Sequence, residues 1–468
     1  RESVRLAFLL ATLNGNKLLA ADISGAYLNA PCAERIHTVL GPEFGELQGR
    51  TAVFVKAIYG LRSSGFAFRT FLARVIREEM GFVPCRGDMD VWRREATKTN
   101  GEKYYEYLLV YTDDCLAISD TPSSIMDELQ AHFLLKPESI KEPTRYLGAS
   151  ISKYFIEGDP IAKWAIGSQD YVKEAVRIIR AKVEQKGLTL KPKANSVLPN
   201  GFKPELDGSG YVDADGGTFY MQCIGILRWI VELGRIDICA EVSMLSAYNA
   251  APRIGHLEAA LHVFSYLNSH DRSKLVMDDA YPDHPEVPEC EWKEFYPFAK
   301  DSEPPDMPTP RGKPVVITVY VDASHAANLV TRQSRTGVLV FVNRAPIIWY
   351  SKKQNSIETS SFGSEFMACK TAVEILEGLR YKLRMMGVPI DGYAHLKIDN
   401  MSVVKNTSTP ESMLKKKSNS IAYHYCRSKA ACDIFRSSYE NTKSNLSDML
   451  TKIQSGIERR RLASKVLF

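Results

Sequence analysis

The chain lacks the cysteine pattern of a disulfide-rich or zinc-binding protein. It has 468 residues and nine cysteines, and no two of them form a Cys-x-x-Cys pair. An odd number of scattered cysteines favours reduced thiols inside a cell. No run approaches the ~20 apolar residues that cross a membrane, so we expect no membrane partner. The content of 45% hydrophobic and 25% charged residues excludes collagen, coiled coil and wholesale disorder.

The chain has no internal repeat, and its length suggests about three domains at ~150 residues each. Its first residue is not Met, so we expect a piece of a longer chain. A stretch that holds nine of the 23 prolines and an acidic excess predicts a partly extended linker. The predicted segments are 1–195, a mostly helical 196–278, the linker 279–314, and 315–468.

Charge is distributed unevenly along the chain. Residues 311–468 have a net charge of +13, and the remainder has −8. A basic module suits a polyanionic partner such as nucleic acid, because each neutralised phosphate releases counterions. A merely solvated basic surface is the alternative on charge alone.

Apolar patterning predicts a mixed, α/β (α+β) multi-domain fold. Runs at 17–21, 104–111 and 115–119 predict strands, and the last two form a hairpin. Spacing by three and four predicts helices at 66–80, 221–233, 257–267 and 364–386. Further strands are predicted at 315–321, 337–342 and 395–398.

Three carboxylates lie at strand ends in the first segment. Asp22 follows the first strand, and Asp113 and Asp114 lie at the tip of the hairpin. Neighbouring strand residues face opposite ways, so a tight turn is needed to bring both hairpin carboxylates to one place. Clustered carboxylates repel, and a cation such as Mg²⁺ relieves that repulsion. A polar turn without function is the alternative for Asp-Asp alone.

The wider pattern resembles the reverse transcriptase of copia-type retrotransposon Pol polyproteins. Residues 21–29 (ADISGAYLN) resemble its first catalytic motif, and 58–64 (IYGLRSS) resemble its template and nucleotide contact motif. Residues 111–114 (YTDD) resemble its catalytic hairpin, with Thr where Val is usual. Further matches follow in the family's order along nearly all of the chain.

This resemblance implies a polymerase palm, with thumb-like and connection segments after it. Asp22 and Asp113 would be the principal ligands of two Mg²⁺ ions, with Asp114 as the third carboxylate. Tyr27 would stack under the incoming sugar and exclude a 2′-hydroxyl, although an ordinary core aromatic is the alternative. The contact motif implies nucleotide binding by Tyr59 and Gly60 and nucleic-acid binding by Arg62.

One departure concerns the fingers. The family's fingers begin upstream of the helix that starts near Ser3, and they contain basic residues that grip the triphosphate. Arg5 is only a weak substitute in residues 1–20, so we expect this chain to bind template poorly and to polymerise little or not at all. Gly65 also replaces the family's usual Pro.

A second set of four acids occupies the basic module. Asp322 lies in a strand, Glu365 begins a long helix, Asp399 ends a strand, and Asp448 lies in a loop. Four carboxylates that converge suit a pair of Mg²⁺ ions, which activate water and stabilise the departing 3′-oxygen. Any one of them alone would more often be an ordinary surface acid.

The set resembles the ribonuclease H domain of the same elements, which implies a mixed sheet packed by helices. It also implies cleavage of the RNA strand of an RNA–DNA hybrid, recognised by backbone shape and 2′-hydroxyls. The candidate phosphate contacts are basic, and for the last three a solvated charge run is the alternative. They are Lys352, Lys353, Lys415, Lys416 and Lys417.

The predicted function is RNA-directed DNA synthesis together with hybrid-specific RNA hydrolysis. The cofactor is Mg²⁺, two ions per active site, with Mn²⁺ as a substitute. The partners are an RNA template, a DNA primer, deoxynucleoside triphosphates, the hybrid, and other Pol and Gag segments; the resemblance also implies a cytoplasmic particle stage. The alternatives are a nucleic-acid-binding remnant without catalysis and ribonuclease activity alone. The presence of all seven carboxylates argues against the remnant.

Overall fold

A computed structural model describes residues 2–187, 189–199, 201–414 and 417–468. Helices and strands alternate along the chain, with short 3-10 turns between them. Helices α1 to α11 are Glu2–Asn14, Ser64–Glu78, Pro122–Gln130, Gln169–Gln185, Ala214–Glu232, Cys239–Ser246, Ile254–Ser269, Ser361–Met386, Met401–Ser408, Ser420–Ala431 and Gly456–Ala463. Strands β1 to β16 are Lys17–Asp22, His37–Val39, Thr51–Val53, Val83–Cys85, Asp88–Thr97, Lys103–Tyr111, Asp114–Ser119, Arg145–Tyr146, Ala149–Tyr154, Lys163–Gly167, Lys274–Val276, Ile317–Ser324, Arg335–Val342, Ala345–Lys353, Ala394–Ile398 and Phe435–Tyr439.

The first sheet is antiparallel and has the strand order β1-β7-β6-β5-β4. Both faces of its central strands are covered. Leu116 and Ile118 pack in the main core, whereas Cys115 and Ala117 pack in a second core with α2 and α3. Alternate residues of a strand point to opposite faces, which explains why the predicted strand is a continuous apolar run.

Helix α1 lies at the centre of the molecule. It contacts β7 of the first sheet, β10 of the second and β14 of the third. Residues such as Leu6, Phe8 and Leu9 are fully buried. A helix that is apolar on nearly every side is stable only when neighbours surround it, and here three sheets do so.

The middle of the chain combines helices α4 to α7 with a four-stranded sheet of order β11-β10-β9-β8. The predicted helix at 257–267 lies within α7, and the one at 221–233 corresponds to α5, which ends at Glu232. No helix of the described residues has the length and apolar content to traverse a lipid bilayer. None of the nine cysteines, all of which are described, forms a disulfide.

The third sheet is mixed, with the order β14-β13-β12-β15-β16. Strands β12, β13 and β14 form an antiparallel meander, and β15 and β16 add in parallel to β12. Helix α8 packs over β12 and β13. The predicted α/β (α+β) fold class, including a mixed sheet packed by helices near the C-terminus, is confirmed.

Residues 279–314 contain no helix or strand, as expected from their prolines. They nevertheless pack against the third module, the part of the chain from β12 to the C-terminus that contains the third sheet. Trp292 is buried and lies under the guanidinium of Arg427, 4.9 Å from the ring centroid. Asp301 accepts hydrogen bonds from Arg380 and Arg384 of α8. One hydrophobic core runs from Leu6 to Val466, so the domain boundaries inferred from the sequence remain a prediction.

A buried ionic network fixes α11 to the middle of the chain. Arg235 lies 2.7 Å from Asp237, which also accepts a hydrogen bond of 3.0 Å from Tyr266. Arg459 of α11 donates to the Asp237 carbonyl and to the carboxylate of Glu241. Burial raises the pKa of Glu241 to about 7, against the opposing effect of Arg459.

We expect Arg459→Met to lower the free energy of unfolding by about 3–5 kcal/mol, because it leaves Glu241 buried without its partner. Urea unfolding at neutral pH measures the change. Arg460→Met is the matched control, because Arg460 is exposed on the same helix and should stay within about 0.5 kcal/mol of wild type. Equal losses in the two variants would contradict the role of the network.

Candidate active sites

The first group of carboxylates lies at one end of the first sheet. Asp22 ends β1 and is directly opposite Asp114 of β7. The backbone N–H of Ile23 donates to the carbonyl of Asp113 at 3.0 Å, so the tip of the hairpin lies beside the end of β1. Opposite residues of an antiparallel pair lie on one face of the sheet, which brings Asp22 and Asp114 together.

The hairpin turn is as tight as the sequence required. Tyr111 pairs with Asp114, so only Thr112 and Asp113 connect the strands. Thr112 has φ of 57°, in the left-handed region that a β-branched residue rarely adopts. Asp113 therefore follows a residue with a strained backbone in this hairpin, and such strain is common at functional sites.

Lys136 is a neighbour of this group that the sequence analysis missed. Its Nζ lies 2.8 Å from Asp22 Oδ1. Burial, followed by repulsion from Asp113 and Asp22, raises the pKa of Asp114. Lys136 lies 22 residues beyond Asp114 in a loop, and only the fold brings it to this end of the sheet.

The residues predicted to contact the nucleotide lie close to one another. Tyr27, in the 3-10 turn Ala26–Asn29, has its ring 4.7 Å from that of Tyr59, which is 62% exposed. Gly60 has φ of +100°, which a residue with a side chain would adopt only with strain. The structure thus places Tyr27, Tyr59 and Gly60 on one surface, with Arg62 exposed next to them.

Arg5 does not lie in this site. Its guanidinium donates to the carbonyls of Ile347 and Glu232, each at 2.7 Å, and lies 3.7 Å above the ring of Trp349. It is 6% exposed in the centre of the molecule. Arg5, which the sequence analysis rated only a weak substitute for a triphosphate-gripping residue, does not serve as one here, because its charge is used to join α1 to the third sheet.

The second group of carboxylates converges closely. Val321 of β12 pairs in parallel with Ile398 of β15, so the residues that follow them lie side by side: Asp322 within β12 and Asp399 just after β15. Ligand oxygens of Asp322, Asp399 and Asp448 all lie within 4.8 Å of one another. Among the described residues, no other trio of potential metal ligands comes so close, including the trio at Asp22.

Glu365 reaches the same place from α8. The Ser360 hydroxyl caps this helix by accepting from the N–H of Gly363. Gln354 holds the start of the helix by donating to the carbonyl of Ser364 at 2.9 Å. Burial, then repulsion from Asp322 and Asp399, raises the pKa of Glu365 to about 10, and its Oε2 has no hydrogen-bond partner.

Two residues that the sequence analysis missed position Asp448. Asn445 caps the 3-10 turn Leu446–Leu450 and donates to the carbonyl of Val321 at 3.0 Å. Gly337 lies directly opposite Asp322, and a Cβ there would lie 2.9 Å from the Ser447 carbonyl. The turn can approach β12 closely because Gly337 has no side chain.

Lys452 partly neutralises the second group. Its Nζ lies 2.5 Å from Asp448 Oδ1 and 3.5 Å from Asp322 Oδ2. The hydroxyl of Thr451 also donates to Asp322. Even so, burial and repulsion from Asp322 raise the pKa of Asp448 to about 6, and burial raises the pKa of Asp322 and of Asp399.

The donor set fits a hard divalent cation. Carboxylate oxygens are the ligands that Mg²⁺ and Mn²⁺ prefer. Burial and mutual repulsion raise the pKa values of this group, and a bound cation would stabilise the charged forms. The unpartnered Glu365 Oε2 is a buried oxygen that a cation would satisfy.

The predicted phosphate contacts that the structure describes lie in two places. Lys352 and Lys353 are exposed at the end of β14, opposite Thr336 and Arg335. Lys417 is exposed in the 3-10 turn Lys417–Asn419. Lys415 and Lys416 lie outside the described residues.

Comparison with known proteins identifies relatives along almost the whole chain, although no family model matches it. A retrovirus-related Pol polyprotein from transposon RE1 of Arabidopsis thaliana is 22% identical and covers 99% of this chain. A putative transposon Ty5-1 protein of Saccharomyces cerevisiae is 25% identical over 76% of this chain and 100% of its own length. This chain spans 28% of the length of the RE1 polyprotein.

Among solved structures, a foamy viral protease-reverse transcriptase in complex with an RNA/DNA hybrid is similar over 93% of this chain and 45% of that one. The sequence identity is 10% and the TM-score is 0.42. The sequence relatives extend through both groups of carboxylates in a single alignment. The chain is a homologue of the Pol polyproteins of retrovirus-related transposons, as the resemblance of its motifs predicted.

Proposed function

We propose that the chain catalyses hydrolysis of the RNA strand of RNA–DNA hybrids at the second group of carboxylates, and RNA-directed DNA synthesis at the first. The single observation that supports the ribonuclease most strongly is the convergence of Asp322, Asp399 and Asp448 within 4.8 Å. The support for the polymerase is the position of Asp22, Asp113 and Asp114 at one end of a sheet.

At the second site, Asp322, Asp399, Asp448 and Glu365 would hold the cations. The chemistry that bound Mg²⁺ would supply is activation of water at the second site and of the primer 3′-hydroxyl at the first. The carboxylates come from a strand, a strand end, a helix and a 3-10 turn that are packed together. This rigid support orients the oxygens before substrate arrives, which lowers the cost of assembling the site.

At the first site, the neighbouring aromatic surface provides the nucleotide contacts. The ring of Tyr27 packs between Tyr59 and Phe68, with centroid distances of 4.7 and 6.1 Å. A ring held in this way has little freedom to move aside for a 2′-hydroxyl. We therefore assign selection of deoxynucleotides to Tyr27, and contact with the template base pair to Tyr59, Gly60 and Arg62.

Ribonuclease activity alone is the second candidate. The observation that favours it is a difference between the two sites. Oxygens of Asp322, Asp399 and Asp448 all lie within 4.8 Å of one another, whereas those of Asp22, Asp113 and Asp114 do not come this close together. Lys136 also lies against Asp22.

We expect Asp399→Asn to lower the rate of cleavage of a labelled RNA–DNA hybrid in Mg²⁺ by at least about 100-fold. Mutations of residues that only support metal ligands already lower activity by up to about 100-fold, and Asp399 is a proposed ligand. Gel analysis of the RNA strand measures the rate. Asp391→Asn is the matched control, because Asp391 is exposed just before the same strand. Cleavage that survives Asp399→Asn would refute the site.

Primer extension tests the first site. On a primed RNA template with deoxynucleotides and Mg²⁺, Asp113→Asn should abolish extension, because the hairpin loses a metal ligand. Asp127→Asn, an exposed change on α3, should leave it unaltered. If wild type cleaves hybrids but extends no primer, the ribonuclease alone is supported; salt-sensitive binding without either reaction supports the remnant.

The raised pKa of Glu365 predicts a pH dependence of stability without metal. Between about pH 4.5 and about pH 10 the folded protein retains a proton that the unfolded chain releases. The free energy of unfolding should therefore fall as pH rises through this window. Glu365→Gln, which resembles the protonated form, should flatten the fall.

Denaturant unfolding in EDTA at several pH values, from about 6 to about 9, measures this slope. Glu374→Gln on the exposed face of α8 is the control and should retain the wild-type slope. Parallel slopes for wild type and Glu365→Gln would show that Glu365 does not retain the proton.

A further inference from the structure

Residues 47–77 form a basic run within the acidic part of the chain. They contain six Lys or Arg residues and no Asp or Glu, whereas residues 1–310 together have a net charge of −8. Helix α2 supplies three of these charges, Arg69, Arg74 and Arg77. Positive charge concentrated in this way within an otherwise acidic segment indicates a surface for a polyanion.

Helix α2 and the first sheet enclose a groove of about 510 Å³ on this basic run. Phe66, Arg69, Arg74 and Arg77 line the groove from the helix, where their spacing places them on one side. The ring of Phe66 is 74% exposed. A large exposed apolar side chain inside a groove is typical of a binding surface.

The side of the groove formed by the sheet is largely apolar. Met89 and Trp92 of β5 and Val110 of β6 contribute to it, and Met89 is 49% exposed. Together with Phe66 these side chains provide apolar surface close to the arginines of the helix. A ligand with flat apolar parts and negative charges fits such a lining, and nucleotides have both.

Two of the three guanidinium groups are available to a ligand. Arg69 forms an ion pair with Asp90, at 2.6 Å. Arg74 and Arg77 form no ion pair with any described residue. Glu78 is the other acid of the lining and is exposed. The groove therefore retains an excess of positive charge after its internal pairing.

The groove lies on the opposite face of the sheet from the first group of carboxylates. Cys115 packs in the second core with α2, and its neighbour Asp114 points to the other face. Asp22 is directly opposite Asp114 and shares that face. A ligand in the groove is therefore outside the candidate polymerase site.

We infer that this groove binds single-stranded nucleic acid, with bases against Phe66 and Met89 and backbone phosphates against Arg74 and Arg77. Unpaired bases expose the flat faces that a duplex hides within its stack, so a single strand can use both the apolar surface and the charge. Contacts of this kind tolerate any base sequence. The surface lies outside both candidate active sites, so its ligand is independent of either proposed reaction.

The test measures binding of a labelled, unstructured RNA of about 12 nucleotides by fluorescence anisotropy, in EDTA and at several salt concentrations. Arg74→Gln and Arg77→Gln should each weaken binding roughly ten-fold, as expected for one charged hydrogen bond. Each should also make the slope of log affinity against log salt shallower by about 0.7, the value for one phosphate of a single strand. Phe66→Ala should weaken binding by at least about five-fold without changing the slope, and Phe66→Tyr should bind as wild type does.

Arg272→Gln is the matched control. It removes the same charge from an exposed position between α7 and β11, outside the groove, and should change neither affinity nor slope. Phe66, Arg74 and Arg77 are also exposed, so these variants should fold as wild type does.

Three results would overturn the inference. If Arg74→Gln, Arg77→Gln and Phe66→Ala bind the RNA as Arg272→Gln does, the strand does not lie in the groove. If wild type binds no single-stranded RNA, the groove has no such ligand, while hybrid cleavage and primer extension still test the proposed function separately. If poly-glutamate displaces the RNA and Phe66→Ala binds normally, the groove recognises acidic protein segments instead of nucleic acid.

Discussion

The repulsion among four carboxylates at one end of the third sheet is the constraint on which the rest of this module depends. Asp322, Glu365, Asp399 and Asp448 come from four different elements, and burial and mutual repulsion raise their pKa values. Such an arrangement is unfavourable without cations. The fold tolerates it because each element is fixed elsewhere by apolar packing, caps and close backbone contacts.

Cations in the protein partly offset this repulsion at both sites. Lys452 lies against Asp448 and Asp322, and Lys136 lies against Asp22. A flexible lysine can neutralise a carboxylate and still withdraw, because its charge is at the end of a four-carbon chain.

The modules are joined by buried contacts, although the sequence suggests separate domains. Helix α1 packs on all three sheets, and Arg459 connects α11 with Glu241 in the middle. The proline-rich stretch lies along the third module, where Trp292 is buried.

Much of the secondary structure and all seven carboxylates could be inferred from local sequence, because apolar periodicity and motif order are properties of neighbouring residues. The strand before Asp22, the hairpin before Asp114 and the helix that contains Glu365 follow from such patterns. What only the tertiary structure decided are the long-range neighbours: Lys136 beside Asp22, and Gly337 beneath the turn of Asp448. The partners of Arg5 belong to the same class, because the partner of a charge depends on which distant strands pack against it, and no local pattern encodes that packing.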